Sequence, residues 1–223
     1  MERPWSLRDW CCCTSVRREP MTQVSKEHYR FESYTDFERW ASYYFQIREI
    51  LALRPESMLE VGTGDGFLGR FVKSATGIAY HSLDIASDLE PEIVGSVEAI
   101  PLRDSAVDVV VAFEVLEHLP FERFEPALRE MRRVSRSRVF ISLPHFGPRP
   151  KVALKVPGMR ELRLAAKLPF PRAHTFHGQH YWELGKRGYS PGKIRSVLRG
   201  MFAIEKDFLP FETQYHHFFL LRK

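Results

Sequence analysis

Cysteine is scarce in the 223-residue chain, and its three copies are the consecutive Cys11, Cys12 and Cys13. Adjacent cysteines seldom pair with each other and no other cysteine can partner them, so a disulfide-stabilised fold is excluded. No apolar run reaches the roughly 18 residues of a membrane span. The first twenty residues also lack the apolar core of a secretory signal. We therefore expect a cytoplasmic protein without a transmembrane segment.

Positive charge is in moderate excess, because 33 Lys and Arg against 28 Asp and Glu give a net charge of +5. A basic surface attracts nucleic acid, anionic lipid or an acidic small molecule. The positive residues are spread along the whole chain, so an ordinary solvated surface also accounts for the excess. With 44% hydrophobic and 27% charged residues, a packed globular core is expected.

The first structured element is predicted to be a helix. Thr35 and Glu38 have the spacing of a capping box, in which Thr35 is the N-cap, and Pro55 ends the helix. Apolar residues recur at helical spacing at Phe37, Trp40, Tyr44, Ile47 and Leu51. The chain is accordingly divided into a disordered tail (residues 1–20), a helical segment (21–56) and one domain (57–223).

Within that domain, predicted strands alternate with helices. Strands are predicted at 57–61, 78–85, 92–97, 107–113, 138–143, 202–209 and 214–221, and helices at 67–74, around 124–134 and at 191–199. The alternation indicates βαβ units. We expect an α/β fold with a doubly wound, mostly parallel, seven-stranded Rossmann-like sheet. Its last strand is antiparallel, and an irregular insertion (about 144–184) follows the fifth strand.

A glycine-rich turn follows the first strand, with glycines at alternate positions: Gly62, Gly64 and Gly66. Glycine allows positive φ and a close approach of ligand to backbone, and the next helix presents its N–H groups there. A dinucleotide fingerprint needs a small residue where Phe67 stands. Glu60, two residues before the turn, suits a ligand that carries a positive charge as well as a carboxylate.

Residues 60–66 resemble the first motif of the class I S-adenosylmethionine-dependent methyltransferases. Asp84 follows Gly66 at close to the ~20-residue offset of a ribose-binding carboxylate. Three further segments resemble motifs of the type 11 subfamily: residues 97–102, 107–113 and 114–120. They follow one another in the same order and at the same separations as in that subfamily. The similarity covers about residues 57–144.

The resemblance implies S-adenosyl-L-methionine as cofactor and assigns a role to each matching residue. The turn glycines approach its methionine part, Glu60 faces its ammonium group, and Asp84 takes the ribose hydroxyls. Ser96 occupies a position where many members carry an acid. The implied cofactor-binding residues are Glu60, Gly62, Gly64, Gly66, Asp84, Ser96 and Val97 (the adenine edge), and Phe113 and Glu114 (the methionine end).

Methyl transfer from a sulfonium is an in-line displacement that needs alignment and exclusion of water, and a base only where the nucleophile carries a proton. His118 after the fourth strand and His145 after the fifth are the candidate bases, because ligands of open α/β sheets bind at the carboxyl edge. The alternative for His118 is a packing or capping residue at the start of a helix.

The insertion contains a candidate acceptor-binding cluster, His180, Tyr181 and Trp182. An anchor holding the insertion on the core is the alternative for the two aromatic residues. His174, His177 and His180 are spaced by three, but no acid or cysteine lies among them, so no metal site is expected. The insertion also alternates basic and apolar residues, as in a lid or in a segment that touches a membrane surface.

Three functions remain open from the sequence. The first is a methyltransferase acting on a small molecule, a glycan or a lipid precursor. The second is a nucleic-acid (RNA) methyltransferase, which the basic charge allows. The third is a cofactor-binding protein without catalysis. Neither the acceptor nor the oligomeric state follows from the sequence.

Overall fold

The computed structural model describes residues 26–29, 34–176 and 178–223. Its strands are β1 (Ser57–Val61), β2 (Ala79–Asp84), β3 (Ile93–Val94), β4 (Val107–Phe113), β5 (Ser135–Pro144), β6 (Lys151–Leu154), β7 (Leu162–Ala165), β8 (Ala203–Phe208) and β9 (His216–Arg222). Its helices are α1 (Phe37–Leu53), α2 (Phe67–Ala75), α3 (Phe121–Val134) and α4 (Pro191–Arg199). The expected tail at residues 1–20 lies outside the described residues.

Seven strands form one sheet in the order β3-β2-β1-β4-β5-β9-β8. β1 is parallel to β2 and β4, and β5 is parallel to β4, whereas β9 is antiparallel to both β5 and β8. The predicted fold class is confirmed. The strand order reverses between β1 and β4, so a crevice opens at their carboxyl ends, where ligands of such sheets bind.

Helices cover both faces of the sheet. α3 buries Phe124, Leu128 and Met131 at helical spacing against one face. On the other face, Phe45 and Ile50 of α1 pack with side chains of α2, β1 and β4. β4 is buried along nearly its whole length between these two layers, which explains its continuous apolar sequence. None of the described helices has the length and apolar character that a membrane crossing requires.

Helix α1 differs from its prediction in cap and in orientation. The N-cap is Asp36, whose carboxylate accepts a 2.8 Å hydrogen bond from the Arg39 N–H, and the predicted capping box at Thr35 is therefore wrong. Most of the apolar stripe faces outward, with Phe37 73% and Tyr44 60% exposed, whereas Ile47 packs against the core. The inward face carries polar side chains as well, because partners on other elements satisfy them; Glu49, for example, pairs with Lys206 at 2.5 Å.

The insertion contains regular structure that the sequence analysis missed. β6 and β7 pair in antiparallel fashion as a separate two-stranded hairpin, from Lys151↔Ala165 to Leu154↔Leu162. Further along, Trp182 and Leu184 are fully buried and tie the insertion to the core. Each hairpin strand is only four residues long, so neither alone gives a clear periodic signal.

Candidate functional site

The glycine turn lies at the carboxyl end of β1, beside the point where the strand order reverses. Gly62, Gly64 and Gly66 all have positive φ, at 79°, 52° and 68°, which side-chain-bearing residues rarely adopt. A Cβ at Gly62 would also lie 2.3 Å from the Val115 side chain. The turn therefore requires glycine for its backbone and its packing, and it leads directly into the N-terminus of α2.

Asp84, at the end of β2, braces this turn. Its carboxylate accepts hydrogen bonds from the Thr63 N–H at 2.7 Å, the Thr63 hydroxyl at 3.1 Å and the Ala86 N–H at 2.9 Å. Asp65 braces the turn from the other side, where its carboxylate accepts from the Tyr43 hydroxyl at 2.6 Å. Two acidic side chains thus hold the backbone of the turn in place.

Glu60 lies beneath the turn on β1 and is 5% exposed. Its carboxylate accepts a short hydrogen bond from the Tyr80 hydroxyl. Burial is the main cause that raises the pKa of Glu60 to about 8, and the nearby Asp65 and Asp84 raise it further. An approaching cation would favour the charged form of this carboxyl group.

Aromatic side chains that precede α1 cover the turn. The Tyr29 ring lies 3.5 Å from the position of a Cβ on Gly64, and it packs edge-to-face with Tyr34 at 4.9 Å. The Arg39 guanidinium lies over the Tyr34 ring at 4.4 Å. Sequence analysis missed this cover, because Tyr29 and Tyr34 stand outside any periodic segment or motif.

The carboxyl end of β4 contributes Glu114, a non-glycine residue with a φ of 55°. Its carboxylate accepts a 2.7 Å hydrogen bond from the Ser142 hydroxyl. Burial raises its pKa to about 7, against the lowering effect of the nearby Arg39. A strained backbone of this kind persists where the surrounding structure holds it, often at functional sites.

The other residues matched to the cofactor motifs lie nearby in the sheet or its loops. Val97 is 6% exposed and belongs to the core. The Ser96 hydroxyl accepts a 3.2 Å hydrogen bond from the Glu98 N–H. Phe113 packs against Phe140 with ring centroids 5.1 Å apart.

His118 and His180 come together although 62 positions separate them in the chain. Their rings meet edge-to-face with centroids 5.0 Å apart. Burial first, and then the facing His180, lower the pKa of His118 to about 4. A general base works best with a pKa near the working pH, so His118 is neutral at pH 7 but a weak proton acceptor.

His145 and Trp182 lie in buried surroundings. His145 is 5% exposed, and its Nδ1 lies 2.9 Å from Nδ1 of His217, whose Nε2 bonds Asp207 at 2.7 Å. Trp182 is fully buried against Phe124, and its Nε1 donates to the Leu119 carbonyl at 3.1 Å. This burial is the position that an anchor of the insertion on the core requires.

Tyr181 and His180 flank the buried tryptophan differently. Tyr181 is half-buried and packs on Phe176 with ring centroids 4.5 Å apart, and its N–H donates to the Glu117 carbonyl at 2.9 Å. The His180 Nδ1 lies 3.2 Å from the Glu183 carboxylate. Of the three residues in the predicted acceptor cluster, His180 and Tyr181 retain exposed surface. His177 lies outside the described residues.

Solved structures share this architecture. The 1,6-didemethyltoxoflavin-N1-methyltransferase of Burkholderia thailandensis, with S-adenosylhomocysteine bound, is 15% identical, with a TM-score of 0.55 over 80% of this chain and 75% of that one. The magnesium protoporphyrin IX methyltransferase of Synechocystis, with S-adenosylmethionine bound, is 14% identical. Its TM-score is 0.57 over 94% of this chain and 100% of that one. At such identities the likeness concerns the fold. No curated protein matches by sequence.

The sheet order and the braced glycine turn define the class, a Rossmann-like methyltransferase fold. Residues 59–143 match a family model described as a methyltransferase domain, Methyltransf_11. Over this span the chain is similar to the class I methyltransferases of type 11, and the match supports an S-adenosylmethionine-dependent methyltransferase with that cofactor.

Proposed function

We propose that the braced turn holds the cofactor in the orientation that the motifs imply. Gly62, Gly64 and Gly66 present backbone to its methionine part, Glu60 faces its ammonium group, and Asp84 accepts from its ribose hydroxyls. The bound cofactor supplies a methyl group on a sulfonium, ready for in-line displacement. Support comes from the cradle itself, since side chains on these glycines would be strained and, at Gly62, would collide with Val115.

Within the same site, Ser96 and Val97 border the adenine, and Phe113 and Glu114 the methionine end. Tyr29, which lies on Gly64, excludes water from the bound cofactor. Excluding water strengthens electrostatic contacts in the site and protects the reactive sulfonium.

The pKa of Glu60 provides a test of the ammonium contact. At pH 7 a carboxyl group with a pKa of about 8 is mostly protonated in the free protein. An ammonium group beside it lowers this pKa, so binding of the cofactor is expected to release close to one proton. Calorimetry in buffers of different ionisation enthalpy measures that release.

Glu60→Gln is expected to bind more weakly and to release no proton, whereas the exposed Glu56→Gln serves as the matched control and behaves as wild type. Proton release that persists unchanged in Glu60→Gln would place the ammonium contact elsewhere.

For the acceptor, we propose an anionic amphiphile, that is, a lipid precursor with an acidic head group. One observation carries this proposal. The pairs Val152↔Leu164 and Leu154↔Leu162 place four apolar side chains on one face of the β6–β7 hairpin. These side chains are 54–62% exposed. An apolar face left open on a small projecting hairpin is typical of a surface that binds a partner or ligand.

The residues that flank the hairpin in the chain form its base. A groove of about 340 Å³ lies there, and Tyr215, Lys167 and Phe170 are among its lining residues. Lys151 donates to the Glu212 carbonyl at 3.1 Å, and Arg149 pairs with Glu38 of α1 at 2.6 Å. Lys155 and Arg160 between the strands add positive charge, which suits an acidic head group. The two structural neighbours are both named for small-molecule acceptors.

Polar substitution of the apolar face tests the acceptor class. Replacing Val152, Leu154, Leu162 and Leu164 by threonine retains strand propensity and removes most of the apolar surface. We expect unchanged cofactor affinity and at least about a tenfold loss of transfer to the acceptor, since four truncated apolar contacts each remove on the order of 1 kcal/mol. Transfer is measured with labelled cofactor and fractionated cell extract.

The label is expected in the organic-extractable fraction. Threonine at the exposed Leu51 and Val94, away from the hairpin, is the matched control and should leave transfer intact. Label confined to water-soluble small molecules or to RNA, or normal transfer by the four-threonine variant, would overturn the amphiphile proposal. Association of the wild-type protein with anionic vesicles, without transfer to their lipids, would assign the hairpin to a membrane surface instead.

A further inference from the structure

A cluster of two imidazoles and one carboxylate lies where β4 meets the insertion. Glu117 and His118 belong to the short 3-10 helix Leu116–His118, and His180 comes from the insertion. One ligand atom from each lies within 4.8 Å of those from the other two, and Glu117 Oε1 is 4.0 Å from His180 Nε2. We propose that Glu117, His118 and His180 bind a divalent first-row transition-metal ion.

The far nitrogen of each imidazole is already engaged. Nδ1 of His118 lies 3.2 Å from the Gln179 carbonyl oxygen, and Nδ1 of His180 lies 3.2 Å from a Glu183 carboxylate oxygen. Each acceptor requires a proton on Nδ1, which leaves the lone pair of a neutral ring on Nε2. Metal-binding histidines almost always donate their other N–H in this way to a carbonyl or a carboxylate, which fixes tautomer and ring orientation.

Glu117 provides an independent observation. It is fully buried, and neither carboxylate oxygen has a hydrogen-bond partner among the described residues. A buried carboxylate without a partner is unfavourable unless it is neutral or paired with a cation. Its side chain and His180 face each other, so a metal ion between them would satisfy both oxygens and the imidazole.

The charges around the cluster favour a cation. Glu114 and Glu183 add two acidic side chains to Glu117; the opposing positive charges are Arg39 near Glu114 and Glu117, and Lys186 near Glu183. Metal–ligand bonds of about 2.0–2.2 Å need adjacent ligand atoms roughly 3.4 Å apart. The 4.0 Å separation of Glu117 and His180 would therefore contract slightly on binding.

Two imidazoles and one carboxylate with an open coordination position are typical of Zn²⁺ and Fe²⁺ sites that also bind a substrate. His180 retains 22% side-chain exposure, which leaves a path to the ion. The open position would hold an oxygen atom of the acceptor next to the end of β4; this role rests on the proposed acceptor site, whereas metal binding itself does not.

Binding of Co²⁺ alone tests the site without any methyl transfer. Full-length protein, stripped with chelator, is titrated with Co²⁺ and followed by its visible absorption, with Zn²⁺ as competitor. We expect one ion per chain with the spectrum of nitrogen and oxygen ligands. His180→Gln and Glu117→Gln should each weaken binding at least about 100-fold, and Glu183→Gln about 10- to 100-fold, as for loss of an orienting partner.

His81→Gln, outside the cluster, is the matched control and should bind normally. Because Cys11, Cys12 and Cys13 can also bind Co²⁺, the same titration is run on the variant with serine at all three. Circular dichroism verifies folding, and the half-buried His180 makes His180→Gln the safer variant. Three results would overturn the site: no Co²⁺ binding, loss of the spectrum in the serine variant, or unchanged affinity in folded His180→Gln. Failed transfer with intact Co²⁺ binding would instead count against the proposed acceptor.

Discussion

Trp182→Ala is expected to lower the free energy of unfolding by about 3–5 kcal/mol, the cost of removing a large aromatic side chain from a packed core. Trp182 is fully buried, and its ring packs against Phe121, Phe124 and Tyr189. The variant also leaves the Leu119 carbonyl without its 3.1 Å hydrogen bond. Urea denaturation followed by circular dichroism measures the change.

Trp40→Ala is the matched control, because the same substitution is made at a tryptophan that is 44% exposed. Its expected cost is below about 1 kcal/mol, as for most surface substitutions. A Trp182→Ala protein with wild-type stability but without transfer would show that the side chain contacts the acceptor after all, contrary to its burial.

Asp84→Asn is expected to weaken cofactor binding about 10- to 150-fold, because hydrogen bonds to a charged group contribute about 1.5–3 kcal/mol. The carboxylate has two tasks here. It bonds the Thr63 N–H and hydroxyl of the glycine turn, and it is the proposed partner of the ribose hydroxyls. Calorimetric titration with S-adenosylhomocysteine measures the affinity, with circular dichroism as the check on folding.

Thr63→Val separates the two tasks. It removes only the 3.1 Å hydroxyl contact and leaves the carboxylate free to accept from the cofactor, so its effect should be several-fold smaller. Asp88→Asn, an exposed acid a short distance along the chain, is the control and should bind normally. Equal affinities for Asp84→Asn and wild type would mean that the ribose hydroxyls are bound elsewhere.

Local sequence was sufficient for the sheet and the glycine turn. The nearly continuous apolar run of seven residues predicts that β4 is a buried strand. Alternate glycines between a strand and a helix predict that the turn binds a ligand. In these segments, neighbours along the chain are the residues that decide the structure. The same is true of α4, where Ser190 accepts from the Lys193 N–H as its N-cap.

Where a helix or hairpin depends on distant partners, the sequence was less informative. The stripe of Phe37 and Tyr44 predicted the wrong buried face for α1, because the burial of Glu49 depends on Lys206, which is 157 residues away. The apolar face of the hairpin could not be predicted from the sequence for a similar reason. Val152 and Leu164 share that face only through cross-strand pairing.

The amino-acid sequence alone predicted the fold class, the resemblance to type 11 methyltransferases and the cofactor that it implies, since those depend on short motifs whose backbone conformations are set within a few residues. The burial of Trp182 and the meeting of Glu117, His118 and His180 became visible only in three dimensions. Such contacts arise when β4 and the insertion close a long loop, and no spacing rule within either segment encodes the distance between them.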